Sequence, residues 1–168
     1  VRAFALERLD EAGERDAAND AHAAHYVAWA SRPSRPYPRA IRFLASMRPR
    51  VAVEQANIRA ALAHLMTRGD GEGALRLAGV FSENVRLNPR EGRIWIEWAL
   101  AHATTNPSVA RGLALAELAF LLWSQAQHEQ AMHFAEASLA MAQELGDPEL
   151  LAIALDGLGM IALSQHHY

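Results

Sequence analysis

The residues of this 168-residue chain that invite chemistry are its eight histidines, its serines and its carboxylate pairs. His22 and His25 stand three positions apart, and on a helix that spacing puts two imidazoles on one face, half of a zinc site. Their neighbours on that face are Ala and Trp29, which offer no further ligand. "HEQAMH" (128–133) nearly spells the metalloprotease helix word, but its histidines are five apart. At ~100° per residue they point about 140° apart around a helix and do not share an ion. His166 and His167 read as exposed polar residues at a turn between helices. The chain has no cysteine, which excludes thiol nucleophiles, disulfides and Cys-based zinc sites. No strand-turn-helix elbow surrounds Ser46, Ser82, Ser124 or Ser138. Glu7 with Glu11, and Asp16 with Asp20, read as solvated carboxylates on acidic N-terminal helices. No catalytic, cofactor-binding or metal residues are therefore expected, and the chain is read as a non-enzyme.

Two further stretches carry possible ligand chemistry. "RGDGEG" (68–73) is glycine-rich, but a Walker loop needs a preceding strand and a Lys-Ser or Lys-Thr pair, and all sixteen basic residues here are Arg. The stretch reads instead as a helix C-cap at Gly69 followed by a turn. Residues 21–53 hold Arg32, Arg35, Arg39, Arg42, Arg48 and Arg50 with no acid, a local +6; residues 111–168 hold seven acids against Arg111, a local −6. With Tyr37 and Phe43 nearby, the Arg cluster could contact phosphates and stack a base. Against nucleic acid stand the net charge of −3, the pI near 6.2 and the lack of a recognition-helix motif.

The elements that must position these residues read as helices throughout, because apolar residues recur at helical spacing and Ala, Leu, Glu, Arg and Gln dominate. One helix is expected over residues 2–12, stopped at Gly13, and a second over 15–31. "RPSRPYP" (32–38) carries three prolines in seven residues and reads as a loop. A third helix is expected from about Arg39 to Met47, and a fourth opened by Pro49 and running to Thr67. The next is expected from Glu72 to about Leu87. No window approaches a membrane span, and no signal segment is seen at Val1, so the sequence is read as an excised cytoplasmic fragment.

A repeat organises the second half. Setting Leu115 against Leu155, an offset of 40, pairs Leu118 with Leu158, Ala119 with Gly159, Phe120 with Met160, Leu121 with Ile161, Ser124 with Ser164 and Gln125 with Gln165. At an offset of 39, "REGRIWIEWALAHA" aligns with "EQAMHFAEASLAMA", pairing Gly92 with Ala131, Trp95 with Phe134 and Leu100 with Leu139. Asn106-Pro107 and Asp147-Pro148 each offer an N-cap followed by Pro at the first helical position. A helix pair cannot cover its own apolar stripe, so such units must stack on neighbours. Small residues at Ala119, Ala131, Ser138 and Gly159 are expected where backbones approach, with Leu115, Leu118 and Leu122 filling the groove beside them.

"LDGLGMIA" (155–162), with Leu155 where Trp is usual, then Leu158-Gly159, and with Ala131 on the second helix, resembles the tetratricopeptide repeat. The period departs from that family's, 39 to 40 residues against about 34, through a longer second helix. The order of "VRAFALERLDEAGERDAANDAHAAHYVAWA", "EQANIRAALAHLMTRGDGEGALRLAG", "REGRIWIEWALA" and "ALSQHHY" resembles the segment that follows the nucleotide-binding and winged-helix regions in bacterial STAND-type ATP-binding regulators, many with LuxR-type DNA-binding domains. What this resemblance implies is a helical sensor arm whose ATPase and helix-turn-helix lie elsewhere in a larger protein.

The expected architecture is thus an all-α, α-α superhelical array: a helical lead-in over 1–68, then about two and a half tetratricopeptide-like repeats over 73–168, the last truncated. The frame of that repeat places Phe81, Asn84, Phe120, Trp123, Ser124, Asp156 and Met160 on the groove formed by the first helices. Expected partners are a protein, a peptide or a small effector, together with the neighbouring ATPase domain, and no cofactor. The competing reading is a structural or self-association module. In that reading an apolar face with Leu151, Leu155, Leu158 and Ile161 lacks a cover and dimerises.

Overall fold

A computed structural model describes the backbone of residues 2–30, 39–85 and 89–165, and side chains over the same spans apart from those of 2, 3, 5, 6, 39–52, 79–85 and 165. Eight helices are described: α1 (Arg2–Glu11), α2 (Arg15–Ala30), α3 (Arg39–Arg68), α4 (Gly71–Val85), α5 (Pro89–His102), α6 (Val109–Ser124), α7 (His128–Leu145) and α8 (Pro148–Gln165). There is no strand among the described residues. None of the helices is long and apolar enough to cross a membrane, among the described residues.

Their ends follow local chemistry. Gly13, Gly69 and Gly146 sit at positive φ and reverse the chain after α1, α3 and α7. Gly146 shows how: from the left-handed conformation its N–H reaches the carbonyls of Ala142 and Gln143. Asp147 Oδ1 accepts from the N–H groups of Glu149 and Leu150 at 3.0 and 2.9 Å, and Pro148 opens α8 as the sequence predicts. Asp70 does the same for α4, accepting from Gly73 at 2.8 Å.

Two expectations about helix ends are corrected. Pro49 does not open a new helix but lies inside the 30-residue α3. A proline forfeits one backbone bond and crowds one carbonyl, and the strong helix formers on both sides carry the helix through. At the start of α6 the cap is not Asn106 but Ser108, whose Oγ accepts from Arg111 N–H at 3.2 Å, so Pro107 falls outside the helix.

The helices stack as sequential antiparallel hairpins. α4 pairs with α5, and α6 with α7; α4 also touches α6, and α6 touches α8, so first helices lie side by side. Each second helix also meets the next first helix, α5 against α6 and α7 against α8. The same relation begins earlier, since α2 packs on both α3 and α4. The result is an all-α helical-repeat array.

Small and large side chains alternate through its interior as the pattern requires. Ala119, Ala131 and Ser138 are buried, beside buried Leu115, Leu118 and Leu122. Each fully buried Leu contributes about 1.5–3 kcal/mol of transfer free energy. Gly159 is the exception: it is exposed, with nothing where a Cβ would stand. The close approach that the repeat assigns to it is made at Gly112 instead. A Cβ there would collide with the Leu150 side chain, and the Gly112 carbonyl accepts from the buried Ser138 hydroxyl at 2.9 Å. Gly71 marks a second close approach, where a Cβ would overlap the backbone of His102.

Candidate functional site

Two regions bring polar side chains from different helices together. The first lies on the α6 and α8 side of the array. Trp123 donates its indole N–H to Ser164 Oγ at 3.0 Å, and its ring lies 5.6 Å from that of Phe120. Ser124 and Ser164, paired by the 40-residue offset, make the same bond to the carbonyl three residues back, at 2.7 and 2.6 Å. Met160 is half-buried and Asp156 exposed. Phe120, Trp123, Ser124, Asp156 and Met160 thus stand on two adjacent first helices. Phe81 and Asn84 belong to α4 by backbone, and their side chains lie outside the described residues.

The Arg cluster is divided in the same way. Arg32 and Arg35 lie outside the described residues; Arg39, Arg42, Arg48 and Arg50 are in the first half of α3, their side chains outside them. His166 and His167 are outside as well.

The second region is the joint between α2, α3 and α4, and sequence reasoning missed it. Asp20 is exposed, as expected, but its carboxylate also meets two residues of α3. His64 Nε2 lies 2.6 Å from its Oδ1 and Arg68 Nη2 3.4 Å from its Oδ2. The His64 hydrogen bond, with help from the Arg68 charge, holds the Asp20 carboxyl below its usual range. One turn and a half along α2, Tyr26 donates its hydroxyl to Glu54 at 2.5 Å, and Asn57 donates to the same oxygen at 2.7 Å. Those two bonds lower the Glu54 carboxyl, while burial, followed by the Glu54 contact, raises the Tyr26 phenol. Farther along α3, Arg59 grips Glu91 of α5 with three bonds of 2.7–3.0 Å.

These contacts also show what the two candidate histidines do. His22 and His25 both pack their rings on Tyr26, 4.9 and 5.2 Å between centroids, so they frame an aromatic cluster with Trp29. No group of three or more His, Asp or Glu is placed to hold a metal ion among the described residues.

Around Asp20 the joint is open. A cavity of about 620 Å³ is walled by Ala23, Ala24, Val27, Ala28 and Leu65, with Asp20, His64, Arg68, Asp70 and Arg76 supplying polar groups. The one sequence signal for it was the spacing of His64 and Arg68, four apart on one face of a helix. Nothing local pointed to Asp20, which comes from a helix 44 residues earlier.

No family model matches the chain, and no solved structure does. It is similar to three proteins provisionally named as HTH-type transcriptional regulators, one from Mycobacterium bovis (strain ATCC BAA-935 / AF2122/97) and two from Mycobacterium tuberculosis (strains CDC 1551 and H37Rv). With each it is 32% identical over 169 aligned positions, covering 95% of this chain and 19% of the relative. The chain therefore spans about a fifth of the length of the curated relatives it matches, and nearly all of it is similar to one segment of transcriptional regulators.

Proposed function

We propose that the chain is a non-catalytic sensor and interaction segment of a multidomain, ATP-dependent transcriptional regulator of LuxR type, acting in the cytoplasm. Its helices form a tetratricopeptide-like surface that binds a protein, peptide or small effector and passes the binding event to a neighbouring ATPase domain. The observation that carries this reading is the similarity along 95% of the chain to a minor part of HTH-type regulators, combined with sequential stacking of helix pairs. Stacked pairs present side chains from several helices on one continuous surface, which suits recognition better than bond-making. Residues 1–68 serve as the lead-in and 73–168 as the repeat units. The groove residues are Phe81, Asn84, Phe120, Trp123, Ser124, Asp156 and Met160.

The test uses a full-length regulator carrying this segment. Trp123→Ala together with Asp156→Ala is expected to abolish effector-dependent promoter activation while operator binding by the intact protein persists. Unchanged activation would remove the groove from the reading.

A second reading, self-association, is favoured by the exposure of Leu155 and Leu163 on α8, at 51% and 66%. The face differs from the one the sequence suggests, because Ile161 is fully buried and Leu158 packs on the core. Sedimentation of the chain should show a concentration-dependent dimer that Leu155→Glu with Leu163→Glu dissolves; a monomer at high concentration rejects it.

A further inference from the structure

The cavity at the α2–α3–α4 joint has the make-up of a ligand pocket. Its volume, about 620 Å³, lies in the range of small-molecule sites, and its lining divides into an apolar wall and a polar end. Three of the five wall residues, Ala23, Ala24 and Ala28, are alanines on α2, so the space exists because that helix presents methyl groups where larger side chains would close it. Val27 and Leu65 complete the apolar surface.

The polar end is unequally satisfied. Of its two carboxylates, Asp20 is engaged on both oxygens, by His64 and Arg68. Asp70 spends one oxygen capping α4 at Gly73. The cations are freer. Arg68 makes one long bond to Asp20, at 3.4 Å, and is half exposed. Arg76 is exposed and has no hydrogen-bond or ion-pair partner among the described residues. Unspent donor capacity is thus concentrated in two guanidinium groups, whose planar donor pairs match a carboxylate or phosphate.

We infer that this pocket binds a small amphipathic anion, its carboxylate or phosphate head held by Arg76 and Arg68 and its short apolar body lying on Ala24, Ala28, Val27 and Leu65. The pocket spans both helices of one hairpin and the first helix of the next, so an occupant bridges two stacked units. This deepens the sensor reading and rests on it for what the ligand does, though not for whether it binds.

The test is a methyl and amide NMR titration of the 168-residue chain with hexanoate, with hexyl phosphate as the alternative head group, and with hexanol and inorganic phosphate as controls lacking head or body. Hexanoate or hexyl phosphate is expected to move the Val27 and Leu65 methyl signals saturably, and neither control to do so at matched concentration. Arg76→Gln should weaken binding by about tenfold or more. Ala24→Phe, at an exposed position of α2, should fill the space and abolish binding. Absence of saturable shifts with both anions, an equal response to hexanol, or unchanged affinity in both pocket variants with native spectra would overturn the pocket. None of those results touches the promoter test of Trp123 and Asp156, so the two readings fail separately.

Discussion

The α2–α3 end and the α6–α8 end of the array use the same stacking plan and different chemistry to hold it. At the α6–α8 end helices meet through alanine, glycine and leucine, with neutral hydrogen bonds such as Ser138 to Gly112 and Trp123 to Ser164. At the α2–α3 end charged and phenolic side chains reach across: Asp20 to His64 and Arg68, and Tyr26 to Glu54. Where small side chains let backbones close, apolar contact suffices. At the α2–α3–α4 joint the methyl groups of Ala23, Ala24 and Ala28 leave a cavity, and Asp20, His64 and Arg68 line its polar end.

The largest expected effect breaks the apolar end. Leu122→Ala removes a fully buried side chain and should cost about 2–5 kcal/mol of unfolding free energy in urea titrations. At the polar end, Tyr26→Phe keeps the ring stacking and leaves Glu54 its bond to Asn57, so chemical denaturation should show a smaller loss, about 1 kcal/mol.

A turn in the apolar end sharpens the contrast in the other direction. The α7–α8 turn uses Gly146 at φ 62°, whereas the α6–α7 turn places Ala126 at φ 59°. A non-glycine residue in that region is strained by roughly 1–2 kcal/mol, partly offset by the lower entropy of its unfolded chain. Beside it, Gln125 Nε2 and His128 Nδ1 are buried without a hydrogen-bond partner among the described residues. Ala126→Gly should therefore stabilise the protein, by about 0.5–1 kcal/mol in the same titration.

Acid should separate the two ends most finely. The folded carboxyls of Asp20 and Glu54 lie below their ordinary values of 3.8 and 4.5. Their contribution is present above those values and is lost as pH falls through the folded ones. Glu149, at the start of α8, is shifted the opposite way, raised from 4.5 by burial and then by the neighbouring Asp147 carboxylate. Its contribution is full below 4.5 and is lost as pH rises through its folded value. Amide-exchange protection measured from neutrality down through these values should fall in α2 and hold or rise in the first turn of α8. Parallel loss in both would refute the assignment.

Much of the architecture was legible from residue types alone. Helical periodicity, the stops at Gly13 and Gly69, and the cap at Asp147 depend on bonds within a few residues, so local sequence encodes them. The 40-residue match of Ser124 with Ser164 holds down to the hydrogen bond each makes, because each is set within its own helical turn. Pro49 and Ser108 show where local signals competed. A proline can open a helix or be carried inside one, and two adjacent residues, Asn106 and Ser108, could each have capped α6.

The candidate groove was legible only as a frame. Trp123 was placed on it, while its partner Ser164 is 41 residues away and needed the packing of α8 on α6. The repeat alignment points to Gly159 and not to Gly112 because it scores equivalence, whereas close approach depends on what lies opposite. For Gly112 that is Leu150; for Gly159 nothing lies there.

What the sequence determined by itself was the all-helical character, most of the helix ends and the small-large alternation that makes the helices pair, since these follow from backbone conformation and from which faces must leave water. Only the tertiary structure decided which charges meet. Asp20 and His64 have no sequence relation, and their 2.6 Å contact, with the cavity beside it, arises from how α2 packs on α3 and α4. That packing is fixed jointly by the side chains of the joint, so no single stretch of the chain encodes it.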